Sequence, residues 1–282
     1  MVTFAQPASE SPTTNGRQLL DINLPRGRRH DGFMGHDERM RAQPAEREVV
    51  GYRRTTSFRT RRSQLSAAQQ RTWERLWPEI GRIAVPEEGP EPLDTKAWFG
   101  RDAPLVLEIG CGTGTSTLAM AQAEPDVDVI AVEVYRRGLA QLLSGIDREH
   151  VTNIRLIRGD AVDVLDHLLT PGSLSGVRVF FPDPWPKARH HKRRLLQPAV
   201  VATIADRLRP GGVLHAATDH ADYAEQIAEV GDAEPLLTRL DIGADAPVST
   251  VRPTTKYEGK AEVAGSIVNE FLWMRGGGKV TA

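Results

Sequence analysis

The chain has 282 residues at 40% hydrophobic composition, enough to bury a full core, so one large domain plus extensions is the natural count. Its only cysteine, Cys111, excludes an internal disulfide and points to a reducing cytoplasm. No run of about 18 apolar residues exists to span a membrane, and a formal net charge of −1 says nothing about nucleic acid because the charge is segregated along the chain.

Residues 1–50 are rich in Pro, Gly, Ser, Thr and charge, without a sustained apolar period, and read as a mostly disordered arm. Its seven arginines are matched by seven acids, and its start lacks the layout of a secretory signal. Residues 51–282 are expected to form the folded domain, with 51–80 a basic stretch plus helix and 104–282 the α/β core. Arg53, Arg54, Arg59, Arg61 and Arg62 form a basic cluster that is either solvated surface or a nucleic-acid contact. Ser66-Ala-Ala-Gln69 is a capping-box pattern, and Trp73, Leu76 and Trp77 follow at helical spacing as a core stripe. Pro78 is expected to end that helix.

From Pro104 the pattern alternates. Strands are predicted at 105–109, 127–132, 154–158 and 177–181, with another within 210–217. Helices are predicted at 115–123, 136–145, 161–169 and 223–230. Two more strands fit 236–240 and 267–274, around a loop at 246–260. Such alternation implies βαβ units, a largely parallel sheet covered on both faces, and ligands at the carboxyl ends of the strands.

The stretch 180–194, FFPDPWPKARHHKRR, follows the fourth of these strands with an acid, a tryptophan and three prolines. Five of its last eight residues are Lys or Arg. The stripe Leu196, Val200, Ile204 and Leu208 predicts a helix from about Ala188, whose first turns this basic block would fill. Cations there oppose the helix dipole at roughly 0.3–1 kcal/mol each, which a bound polyanion would relieve. A solvated face is the plainer reading of any charge run.

Glu108-Ile-Gly-Cys-Gly-Thr-Gly114 sits at a strand end before a helix. Gly110, Gly112 and Gly114 allow close backbone approach, but Thr115 stands where a dinucleotide fingerprint needs its last glycine. Glu133 ends the second predicted strand, where an acid can take both hydroxyls of a ribose. Asp160 ends the third and either caps a helix or accepts from an adenine amino group. Cys111 reads as a small packing residue, and His190 and His191 lack partners at zinc-ligand spacing.

Together these residues resemble the S-adenosylmethionine site of class I methyltransferases. The stretch 180–194, Ala217-Thr-Asp219 and Arg252-Pro-Thr-Thr-Lys-Tyr-Glu258 narrow the resemblance to the bacterial tRNA (guanine-N7-)-methyltransferase family, from about Ser57 to the end. That resemblance implies a Rossmann-like, doubly wound, mostly parallel seven-stranded sheet with an antiparallel C-terminal strand. It implies S-adenosylmethionine as cofactor and tRNA as partner, with no metal, membrane or obligate protein partner. Cofactor-binding residues would be Glu108, Gly110, Gly112, Gly114, Glu133, Asp160 and Asp183, with Asp183 also catalytic. Lys187, Asp219, Thr255, Lys256, Tyr257 and Glu258 would bind the substrate guanosine, and Arg189, His190, His191, Lys192, Arg193 and Arg194 the RNA. The target would be the variable-loop guanine at tRNA position 46. Capping remains an equal reading of Asp219, and packing of Trp185. Two other classes compete: a methyltransferase acting on an exocyclic amine, and a non-catalytic RNA-binding protein that keeps the fold.

Overall fold

The computed structural model describes residues 64–253 and 267–276. The arm at 1–50, the arginine cluster at 53–62, and Thr255, Lys256, Tyr257 and Glu258 lie outside the described residues. Helix α1 (Ala67–Ile80) begins at Ser66 with both bonds of the capping box in place. Contrary to expectation, Pro78 lies inside α1, and Gly81 ends it. In the last turn a proline forfeits one amide bond without forcing the chain to leave the helix. Trp73 and Trp77 stack at 4.1 Å, with the Arg136 guanidinium over Trp73, so the aromatic stripe is packed.

The strands are β1 (Gly81–Ile83), β2 (Leu105–Ile109), β3 (Asp128–Glu133), β4 (Ile154–Arg158), β5 (Leu174–Phe180), β6 (Leu208–Thr218), β7 (Leu237–Leu240) and β8 (Asn269–Arg275). They form one eight-stranded sheet in the order β1-β4-β3-β2-β5-β6-β8-β7. The expected seven strands are present, and β1 is the addition. Three residues beside β4 were too short to carry a periodic signal. Only β8 runs opposite to the rest of the sheet, as its antiparallel pairings with β6 and β7 show. Every residue of β2 and β3 is buried, as both faces of a parallel sheet require.

One face is covered by α5 (Ala161–Asp163), the π-helical turn Val164–Leu168, α6 (Pro198–Arg207) and α7 (Ala221–Ala233). The other is covered by α1, α3 (Thr115–Ala123) and α4 (Arg136–Glu149) over β2–β4, with Ala246 and Val248 joining that cluster. A short helix, α2 (Thr95–Phe99), precedes β2. Chain direction across the sheet reverses between β2 and β5, and the crevice above that point is where an open α/β sheet binds ligands. Among the described residues, no helix is long and apolar enough to cross a membrane.

The basic block departs from the expected helix. Ala188–Arg193 forms a separate 3₁₀ turn, and α6 starts ten residues later than predicted, at Pro198. Proline fits the first helical position and pushes Gln197 before it to an extended conformation (φ −101°, ψ 159°). The cations therefore do not load the start of α6, and the dipole argument falls away.

Candidate active site

The carboxyl ends of β2, β3 and β4 gather the first group of residues. Gly110, Gly112 and Gly114 all have positive φ (75°, 57° and 76°), folding the loop back so that the Gly110 and Cys111 amides donate to Val132 O. The start of α4 presses on this loop: a Cβ on Gly138 would stand 2.2 Å from Gly112 O. Glu133 closes the cradle. One carboxylate oxygen accepts from Gly112 N at 3.0 Å, the other from Val134 N at 2.7 Å and Tyr135 N at 2.9 Å. A carboxylate has about four acceptor sites, so capacity remains for a ligand. Burial pushes the Glu133 carboxyl above its usual range, against these donors, and the charge of Asp183 adds to the rise.

Glu108 is 3% exposed and points inward. Its Oε1 accepts from Thr117 Oγ1 at 2.9 Å, while its buried Oε2 has no hydrogen-bond partner among the described residues. Burial raises this carboxyl too, opposed by Arg178 and the Thr117 bond. Cys111 lies near both acids, and burial plus their charges push its thiol well above the usual range, so it is no nucleophile. Asp160 caps α5 by accepting from Val162 N at 3.0 Å. An orphaned buried acceptor beside a glycine cradle fits a polar, nucleoside-bearing ligand such as S-adenosylmethionine.

The second group comes from β5 and β6. Past Phe180 the chain turns sharply, with Phe181 at φ 51° and Trp185 at φ 44° on either side of exposed Asp183. Such backbone costs roughly 1–3 kcal/mol per residue and clusters at functional sites. Phe181 N donates to Ala217 O, tying the elbow to the end of β6, where exposed Asp219 follows buried Thr218. His220, not Asp219, holds the capping position of α7, and it makes no side-chain cap bond. In the 3₁₀ turn, Lys187, Arg189 and Lys192 are exposed. His190 meets the Trp185 ring edge-on at 5.9 Å and Arg193 covers that ring at 5.0 Å, so Trp185 is the turn's packing platform. His191 lies 3.3 Å from Asp222. Burial and four neighbouring cations (Arg193, Arg189, Lys187 and Lys192) lower the His190 pKa.

A family model described as "Putative methyltransferase" matches residues 102–270, spanning both groups. Proteins named tRNA (guanine-N(7)-)-methyltransferase align along most of the chain. The one from Mycobacterium avium is 64% identical, covering 86% of this chain and all of its own. Those from Mycobacterium sp. strain KMS and Mycobacterium leprae are 74% and 68% identical, covering 79% and 78% of this chain and 81% and 96% of theirs. The chain belongs to the tRNA (guanine-N7-)-methyltransferase family. Among solved structures, an rRNA methylase from Streptococcus thermophilus aligns at 15% identity over 62% of this chain and 89% of its own, TM-score 0.43. An antibiotic-resistance methyltransferase aligns at 15% over 66% and 93%, TM-score 0.44. The fold of this tRNA (guanine-N7-)-methyltransferase family member rests instead on its own strand order.

Within the methyltransferase, one expected RNA-facing residue is placed elsewhere. The Arg194 side chain is 1% exposed and paired with Asp222 at 2.5 Å, so it does not reach outward. Sequence reasoning also missed a buried polar row on the β2–β5–β6 face. Arg178, paired across the sheet with Glu108 and His215, bonds Glu124 at 2.6 Å and Ser249 O at 3.1 Å. His215 lies 2.5 Å from Glu270, which also meets Arg252 at 3.5 Å. The Arg252 guanidinium sits over Phe180 and Phe181. The available signal was a lone arginine inside the apolar strand LSGVRVF.

Proposed function

We propose that this enzyme transfers the methyl group of S-adenosylmethionine to N7 of guanine in tRNA, leaving S-adenosylhomocysteine and a cationic 7-methylguanine. The observation that carries the reading is the Glu133-closed glycine cradle, with the unpartnered buried Glu108 oxygen, at the ends of β2 and β3, beside a strand β5 that ends in the strained Asp183 elbow and runs on into an exposed basic turn. The bound cofactor supplies an electrophilic sulfonium methyl. Glu133 takes the ribose hydroxyls, Asp160 the adenine edge, and Glu108 with Gly110, Gly112 and Gly114 frames the remainder.

Guanine N7 attacks through an sp² lone pair and needs no deprotonation, so the residues act by positioning and charge placement. Asp183 accepts from the Watson–Crick edge, whose N–H groups become more acidic as the ring gains charge. Lys187, Asp219 and, from the segment outside the described residues, Thr255, Lys256, Tyr257 and Glu258 hold the guanosine. Exposed Lys187, Arg189 and Lys192 face the phosphates, while His190, His191 and Arg193 among them shape the turn by packing on Trp185 or facing Asp222. The catalytic domain in this reading is 51–282, with 1–50 an arm outside it, and the enzyme works in the cytoplasm, where its substrate is. The variable-loop guanine at position 46 is the proposed target.

Incubation of the full chain with methyl-labelled cofactor and bulk tRNA, followed by mapping of the label, tests the reading. Label in 7-methylguanosine at position 46 is expected. Label on an exocyclic amine, or cofactor binding without transfer, overturns it in favour of another methyltransferase class or a scaffold.

A further inference from the structure

Asp183 and Asp219 stand on separate connections, one after β5 and one after β6, yet the proposed chemistry needs both acids in one frame. Arg194 joins the two connections. Its Nε donates to Pro184 O at 2.8 Å, one residue past Asp183. Its Nη1 donates to Gln226 Oε1 at 2.8 Å, and its Nη2 pairs with Asp222 at 2.5 Å, in the first turn of α7, three residues past Asp219. The guanidinium also lies 4.8 Å from the centre of the Tyr223 ring. The same seam is stitched by Leu196 N donating to Tyr223 OH, Gln226 Nε2 to Leu196 O, and Gln197 Nε2 to His191 O. The planar guanidinium spreads its donors from Nε to both Nη atoms in a fixed fork, so one side chain reaches Pro184 O, Gln226 Oε1 and Asp222 together, a span that the compact ammonium of lysine does not reproduce.

We propose that Arg194 is a positioning residue for methyl transfer, which clamps the Asp183 elbow to the start of α7 and makes no contact with RNA. This rests on the function proposed above for Asp183 and Asp219. Lysine cannot hold both partners, so charge alone does not restore the clamp.

The test uses the full chain with R194K, R194M and D222N. Misplaced reacting groups lower kcat steeply, so R194M and R194K are expected to lose roughly 10–100-fold in kcat, with tRNA KM and cofactor Kd changed less than about threefold. The salt slope of tRNA binding should stay that of the wild type. A phosphate contact would instead raise tRNA KM, spare kcat and flatten the slope by about 0.7–0.9, which overturns the proposal. If both Arg194 variants fail to bind cofactor, D222N decides: a severalfold kcat loss at constant salt slope supports the clamp, and unchanged kcat overturns it. Hydrogen exchange at the Asp183 and Trp185 amides reads the clamp without turnover. Faster exchange there in R194M or D222N, with β2 and β3 unchanged, supports it, and wild-type exchange at the elbow overturns it. A wild-type chain inactive on tRNA refutes the function while leaving this exchange result standing.

Discussion

At the scale of single residues, the two central acids are held differently and should respond differently. Glu133 is nine-tenths buried, and its carboxyl is raised chiefly by burial. Ribose hydroxyls bond best to the ionised form, so cofactor affinity should weaken as pH falls through that raised pKa, at higher pH than an exposed glutamate would show. Calorimetric titration across pH checks this, and Glu133→Gln should be weaker throughout with the pH dependence removed. The stability effect has the opposite sense. With the folded pKa above the unfolded one, the neutral form is favoured on folding, and stability is lost as pH rises through this window. Asp183 is exposed in the elbow. Asp183→Asn should lower kcat by roughly 10²-fold while cofactor Kd stays within a few-fold, a split that single-turnover kinetics measures.

At the scale of elements, the glycine loop and α4 act as one unit. Gly138→Ala puts a methyl where Gly112 O stands, and backbone cannot give way as a flexible side chain can. The expected cost is about 1–3 kcal/mol of stability, together with weaker cofactor binding, seen in denaturant titrations with and without cofactor. The 3₁₀ turn is the other element that the proposed function uses. Exposed Lys187 at its start, and exposed Arg189 and Lys192 within it, stand beside the half-buried His190, His191 and Arg193, which pack on Trp185 or face Asp222. Changing those three cations to alanine should flatten the salt slope of tRNA binding by roughly 0.7–0.9 for each phosphate the turn no longer neutralises, with cofactor affinity unchanged. An unaltered slope would remove the turn from the interface.

At the scale of the whole molecule, the buried Arg178–Glu124 pair ties the segment around Ser249 onto the sheet, since Glu124 also accepts from Ser249 N. Removing one partner strands a buried charge, so Arg178→Met should cost about 3–5 kcal/mol in urea unfolding. Adding Glu124→Leu should recover part of that loss. The chain that follows this segment carries Thr255, Lys256, Tyr257 and Glu258, so the double variant also asks whether the anchor governs tRNA KM.

Much of this protein was legible in its sequence. Strand and helix alternation set the parallel sheet, because buried strands demand unbroken apolar runs and covering helices demand a 3.6-residue period. The glycines and the acids at successive strand ends gather at one edge of the sheet as their places in the sequence predicted, because chain direction in a parallel sheet fixes where such residues meet. Two misses were local: the last turn of α1 tolerates Pro78, and Pro198 starts α6 and leaves the basic run as a separate 3₁₀ turn. The three-residue β1 was illegible for a different reason, since it formed only because distant β4 was beside it. Five of the eight residues from Lys187 to Arg194 are cationic and look alike in sequence. Only the fold separates exposed Arg189 from buried Arg194, because burial and partners arise from contacts such as those to Pro184, Asp222 and Gln226.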